Sequence, residues 1–256
     1  MIAIIGGTGF YDPDFLKEQE KVKVETKYGL CEVVLGKIGK ERVVFLPRHG
    51  LTHEIPPHRV NYRRNISALK VAGAERIISI NSVGSLDESL PPGSILVPHD
   101  FIDLTKGREQ TFFDDVVVHV DMSSPYCEEI RRILIKCAER FYDHVFPKGV
   151  YVCTQGPRFE TASEIKMLRL IGGDVIGMVG FPEVVLSREA GLCYASISTI
   201  TNYGCGISKT PLTVSEVTKV VSENLDSMKR TIACAVGAVQ KKRGCRCTDS
   251  LSEAKV

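Results

Sequence analysis

The sequence predicts a single α/β domain, a central mixed β-sheet flanked by helices. Short Val- and Ile-rich runs alternate with segments of helical spacing along most of the chain. Gly, Pro and small polar residues punctuate that alternation, with no repeat, low-complexity tract or linker. Of 256 residues, 43% are apolar and 25% charged, a soluble globular composition that excludes disordered, fibrous and small disulfide-scaffold chains.

Ile2–Ile5 reads as a buried strand. Val22–Thr26, Glu32–Leu35 and Arg42–Leu46 read as strands joined by turns at Gly29 and between Gly36 and Gly39. Tyr62–Val71 has helical spacing. Arg76–Ile80 is a strand, and Ser94–Val97 another after the Pro91-Pro92-Gly93 turn. A helix is expected over Ser123–Arg140, capped by Ser123 or Ser124, with Pro125 first and Glu128 and Glu129 in its first turn. Strand Gly149–Cys153 precedes a helix over Thr161–Leu170, where Thr161 and Glu164 have capping-box spacing. Strand Asp174–Met178, helix Glu183–Ala190 and strand Cys193–Thr201 follow. An amphipathic helix from Thr213 to about Gln240 closes a domain spanning residues 1–240, and the polar tail, residues 241–256, is expected to fray.

The 33 Lys and Arg against 31 Asp and Glu leave a net charge of +2, so no nucleic-acid partner is expected. No stretch approaches the ~20 apolar residues of a membrane span. Ile2–Ile5 has no basic region ahead of it, so the expectation is a cytoplasmic protein without signal peptide or membrane partner. Seven of nine cysteines, at 31, 127, 137, 153, 193, 205 and 234, stand singly among apolar residues and read as buried hydrophobes in a reducing compartment. The lack of C-x-x-C pairs excludes a zinc ribbon, and no metal or cofactor is expected.

In such a sheet, function gathers at the carboxyl ends of strands. After the first strand, Gly6-Gly7-Thr8-Gly9 offers backbone N–H groups and a hydroxyl to an anion, although its spacing fits neither a dinucleotide fingerprint nor a Walker loop. Arg48-His49-Gly50 supplies a guanidinium fork and an imidazole, a set that suits phosphate but also a surface salt bridge. Asn81-Ser82-Val83-Gly84-Ser85 adds small polar donors. Phe159 and Glu160 precede a helix and could line a cleft, although Phe159 could equally pack in the core and Glu160 favour the helix dipole. Asn202 offers a donor and an acceptor at a strand end.

Together with Val60-Asn61-Tyr62, Gly156-Pro157-Arg158-Phe159-Glu160-Thr161, Pro182-Glu183 and Thr201-Asn202, these motifs stand in the order found in trimeric purine nucleoside phosphorylases. The chain resembles that family, on the branch of methylthioadenosine phosphorylase, from Met1 to about Gln240. The resemblance implies the nucleoside phosphorylase-like fold, a homotrimer or dimer of trimers, and cleavage of a purine nucleoside by inorganic phosphate, a co-substrate, to base and ribose 1-phosphate. It assigns Thr8, Arg48, His49, Asn81 and Ser82 to phosphate, Met178 to ribose, Phe159 to the purine face, and the N7 contact of the leaving base to Asn202. Val179 stands where the family usually has Ser or Thr, so one phosphate hydroxyl is lost.

The base contacts depart from methylthioadenosine phosphorylases, which carry Asp at the positions of Asn202 and Gly204 and a small residue at that of Glu160. Glu160 with Asn202 is the 6-oxopurine pairing. An ionised Glu160 accepts from the N1–H of hypoxanthine or guanine, whereas adenine N1 would face it acceptor to acceptor, at about 1–3 kcal/mol per unpaired group. Val214 stands where enzymes of ordinary nucleosides place a His near the 5′ position, and an apolar residue suits a methylthio group. His119 matches a residue that reaches the neighbouring subunit's 5′ pocket. The resulting expectation is phosphorolysis of S-methyl-5′-thioinosine, with inosine or guanosine as further substrates. The alternatives are methylthioadenosine phosphorolysis and a nucleoside-binding protein without catalysis. Cys245-x-Cys247 resembles a C-terminal C-x-C that forms a strained disulfide in some heat-stable relatives.

Overall fold

The computed structural model describes residues 1–10, 13–208, 212–252 and 254. Strand β1 (Ile2–Gly6) is followed by the meander β2 (Lys17–Thr26), β3 (Gly29–Ile38) and β4 (Glu41–Pro47). Helix α1 (Tyr62–Val71) leads into β5 (Arg76–Ser85), β6 (Ile95–Leu96) and β7 (Asp100–Asp103). Then come α2 (Glu128–Ala138), β8 (Val145–Phe146), β9 (Val150–Cys153), α3 (Ala162–Leu170) and β10 (Val175–Gly177). Helix α4 (Gly180–Glu189), strand β11 (Cys193–Tyr203) and helix α5 (Val214–Ala238) complete the order. No helix among the described residues is long and apolar enough to cross a membrane.

The sheet is mixed, as predicted. β1 lies between β4 and β5 and runs parallel to both, and β11 runs parallel to β5 on its other side. The β2–β3 and β3–β4 pairs are antiparallel, and so is β10 against the end of β5. Strand alternation divides the core. Ile4, Phe45 and Ile78 point to the face covered by α2 and α5, while Ala3, Ile5, Val44, Leu46 and Ile77 point to the face covered by α1 and α4. Burying each such large aliphatic side chain contributes about 1.5–3 kcal/mol. Helix α5 buries Met228, Thr231, Ile232, Ala235 and Val236, all in its C-terminal half, so only that half is core.

Local chemistry sets several boundaries. Asn61 caps α1 by accepting from the Arg64 amide, and Thr161 with Glu164 forms the expected capping box on α3. Three expectations are corrected. Helix α2 starts at Glu128 with Cys127 at its N-cap, because Ser123 spends its amide and hydroxyl on Asp121 instead. Asn81–Ser85 and Thr201–Tyr203 are strand rather than loop, because β5 and β11 stay paired to Tyr203↔Ser85. The tail does not fray over its described residues: Cys247 and Ala254 are buried, Ser250 donates to the Arg188 carbonyl, and Arg243 reaches the Gly191 carbonyl.

The cysteines also need correction. Cys137 on α2 and Cys234 on α5 form a disulfide, so these two are not isolated hydrophobes. Cys127 and Cys193 are buried, but together with Cys245 and Cys247. Cys31 and Cys153 are buried singly as expected, and Cys205 is partly exposed. Cys245 and Cys247 are free thiols, not bonded to each other.

Candidate active site

Strand β5 positions the site. Its first half is held between β1 and β11, but β1 ends at Gly6 and β10 takes up the same edge only from Gly84. The ladders leave Ile80–Val83 without a strand partner on that edge. Arg48 Nη1 donates to the carbonyl of Ile80 at 3.1 Å. The chain leaving β1 passes so close that a Cβ on Gly7 would lie 2.3 Å from that oxygen and 2.9 Å from Arg48 Nη1. Glycine is required there for approach, whether or not a ligand binds.

A cavity of about 410 Å³ opens along this gap, a size typical of small-molecule sites. Thr8, Arg48, His49 and Ser82 line one part. Phe159, Glu160, Asn202 and Gly204 line another, and Met178 and Val179 the wall at the end of β10. Ten residues predicted from distant segments thus share one cavity.

Arg48 is fully buried. Its Nε lies 2.5 Å from Glu183 Oε1, and its Nη2 donates to Glu183 Oε2, Ser79 Oγ and Asn81 Oδ1. Glu183 Oε2 also accepts from Ser79 Oγ and, at 2.9 Å, from Tyr194 Oη. Burial alone would lower the Arg48 pKa, but the Glu183 carboxylate outweighs it and holds the guanidinium charged. Nη1 spends one N–H on Ile80 and keeps the other for a ligand.

His49 pairs its Nδ1 with the Ile55 carbonyl at 2.8 Å. Burial, reinforced by the Arg48 charge, pushes its pKa down to about 4, so the ring is neutral at pH 7. A carbonyl can only accept, so Nδ1 carries the proton and Nε2 is a lone pair. In this state His49 offers the cavity an acceptor at Nε2 rather than a donor.

The other part of the cavity is less saturated. Glu160 Oε1 accepts from Thr154 Oγ1 at 2.6 Å, and burial pushes its carboxyl upward. Oε2 remains available. Asn202 is buried; its Oδ1 accepts from Thr201 Oγ1 at 2.8 Å, and its Nδ2 donates to the Tyr203 carbonyl at 3.0 Å. One N–H and one lone pair remain.

Four predicted residues are placed separately. Asn81 does not line the cavity: its Oδ1 faces Arg48, making it a support of the guanidinium. Val214 is 64% exposed at the start of α5, and the apolar wall comes instead from Leu212 and Val217. Val217 lies three residues on, one helical turn along the same face, which a spacing argument could have found. His119 lies outside this cavity; it lines a second one with the tail and donates its amide to the Ala254 carbonyl. Val179 lacks a hydroxyl, and its amide is already donated to Tyr151 Oη at 3.3 Å. Sequence reasoning also missed that Glu183, noted only as a motif residue, is the counter-ion of Arg48, and that His53 enters the wall beside His49, ring centres 4.7 Å apart.

Known proteins align with this architecture. Residues 1–236 match the Phosphorylase superfamily. A probable 6-oxopurine nucleoside phosphorylase of Dictyoglomus turgidum is 48% identical, over 98% of this chain and 97% of that protein. A probable S-methyl-5′-thioinosine phosphorylase of Methanocaldococcus jannaschii is 49% identical over the whole of both chains. Among solved structures, methylthioadenosine phosphorylase from Schistosoma mansoni in complex with adenine superposes with a TM-score of 0.93 at 34% identity, covering 99% of this chain and 98% of that one. With the family match spanning nearly its whole length and relatives of near 50% identity end to end, the chain belongs to the Phosphorylase superfamily.

Proposed function

We propose that this chain is a purine nucleoside phosphorylase that cleaves 6-oxopurine nucleosides, S-methyl-5′-thioinosine foremost, to hypoxanthine and S-methyl-5-thio-ribose 1-phosphate in purine salvage. One observation carries the reading: Glu160 and Asn202 face one cavity, and neither has its hydrogen-bonding capacity filled by neighbouring side chains and carbonyls. The ionised Glu160 takes the N1–H of a 6-oxopurine. The spare N–H of Asn202 reaches N7. Adenine, with N1 as an acceptor, leaves the Glu160 carboxylate unpaired.

The chemistry needs positioning and charge stabilisation rather than a covalent nucleophile. A phosphate oxygen forms the bond to C1′ as the C1′–N9 bond breaks, the electron pair flows into the purine, where the Asn202 amide stabilises it at N7, and the proton that the monohydrogen phosphate gives up ends on the departing base. Thr8, Ser82 and the remaining N–H of Arg48 donate to the phosphate, and His49 takes its proton-bearing oxygen. Phe159 covers the purine face, Met178 the ribose, and Leu212 with Val217 the 5′ substituent. Phosphate is the co-substrate and the scheme uses no cofactor. The working unit is a homotrimer or dimer of trimers in the cytoplasm, with His119 serving a neighbour's 5′ pocket.

Asn202→Ala tests the assignment. Steady-state kinetics should give a kcat about 10²-fold lower with the phosphate KM unchanged, as for loss of a contact made to developing charge. An unchanged kcat removes Asn202 from the mechanism, and release of base without phosphate would mean hydrolysis instead.

A further inference from the structure

Outside the main cavity, four cysteines from three parts of the chain meet. Cys127 is the N-cap of α2, Cys193 opens β11, and Cys245 and Cys247 belong to the tail. Their sulfurs all lie within 4.8 Å of one another, three of the four residues are buried, and none is in a disulfide. We propose that Cys127, Cys193, Cys245 and Cys247 form a tetrathiolate site for a zinc-like divalent cation, which fastens the C-terminal tail to the body of the protein.

Geometry is the first argument. A tetrahedral centre with Zn–S bonds of about 2.3 Å has S···S edges of about 3.8 Å. The Cys193–Cys245 separation of 3.2 Å and the 4.8 Å bound lie on either side of that edge, so shifts of a fraction of an ångström complete the shell. The donor set is the second. Four sulfurs and no oxygen or nitrogen select a soft, tetrahedral ion over magnesium or calcium.

The surroundings fit the charge. A zinc ion with four thiolates carries two net negative charges. Arg188 Nη1 stands 3.8 Å from Cys247 Sγ, in the place of an outer-shell partner. Cys127 sits at the N-terminal, positive end of α2, facing the charge such a centre would carry. The framework ligands are tied by their own backbone: the Cys127 amide donates to Tyr194 at 2.7 Å and the Cys193 amide to Glu75 at 3.0 Å. The tail ligands are the two that the metal would hold in place. Because the Ala254 carbonyl accepts from the His119 amide, a fixed tail also fixes the segment carrying His119.

The test uses the full chain purified under reducing conditions. Zinc should be present at one equivalent per chain, and its release by a mercurial should coincide with the loss of four thiolates. Cobalt(II) exchanged into the wild-type protein should give the intense visible bands and near-ultraviolet charge transfer of a tetrahedral tetrathiolate. Cys245→Ser and Cys247→Ser should each weaken cobalt binding at least tenfold, whereas Cys31→Ala should not. The wild-type spectrum needs no variant to fold. Two disulfides among the four cysteines, or four freely titrating thiols in excess zinc without the cobalt spectrum, would overturn the site.

Discussion

At the phosphate end of the cavity, Arg48 and Glu183 are fully buried and nearly all their hydrogen-bonding positions are taken by protein. At the other end, Glu160 spends one side-chain bond and Asn202 two on neighbours, and both keep hydrogen-bonding capacity for a ligand. On the proposed reading the first end takes phosphate, common to every reaction of this type, and it is fixed by the fold itself. On the same reading the second discriminates, and discrimination requires groups whose pairing is left to the substrate. Changes at the first end should therefore cost stability, and changes at the second should alter specificity.

The largest effect is expected at the ion pair. Glu183→Gln keeps the shape but leaves the buried Arg48 charge uncompensated, which should cost about 3–5 kcal/mol in denaturant unfolding. A loss below 1 kcal/mol would mean that the phosphate end is not structurally committed.

Next is the acid limb of stability. The folded pKa of His49, about 4, lies below its ordinary value of 6.5, so the unfolded chain takes up the proton first as pH falls. The contribution is complete above pH 6.5 and is lost progressively down to pH 4, by about 3 kcal/mol for that shift. Unfolding free energies measured across this window should flatten in His49→Gln. An identical slope in the variant would move the titration elsewhere.

The smallest effect concerns the 5′ wall. Val217→Ser should weaken methylthioinosine in kcat/KM by about 1 kcal/mol, near fivefold, and inosine less. Val214→Ser, exposed at the helix start and outside the cavity lining, should change neither.

Much of this was legible before the structure. Strands with unbroken Val and Ile runs announced themselves, and the capping box placed α3, because both signals are local. The limits of β5 and β11 were not legible: Asn81–Ser85 and Thr201–Tyr203 have turn-like composition and are extended only because each strand holds the other. The same dependence on partners hid the role of Glu183, 135 residues from Arg48. His49 could be placed but not protonated, since its tautomer is set by the Ile55 carbonyl. The clustering of the cysteines was hidden on the same ground: Cys127, Cys193 and the tail pair are brought together by the fold, which no spacing of nearby pairs reveals. Val217 was one helical turn away from the residue chosen, a fault of register rather than chemistry.

The central claim is that Glu160 makes this a 6-oxopurine enzyme with an apolar 5′ pocket. It is tested most directly by kcat/KM with phosphate for S-methyl-5′-thioinosine, inosine and S-methyl-5′-thioadenosine, on the native chain and on Glu160→Ser. Methylthioinosine should be the best substrate of the native enzyme. Methylthioadenosine should fall behind it by about 10- to 100-fold, and that gap should shrink in Glu160→Ser. Equal or better native use of methylthioadenosine would contradict the account.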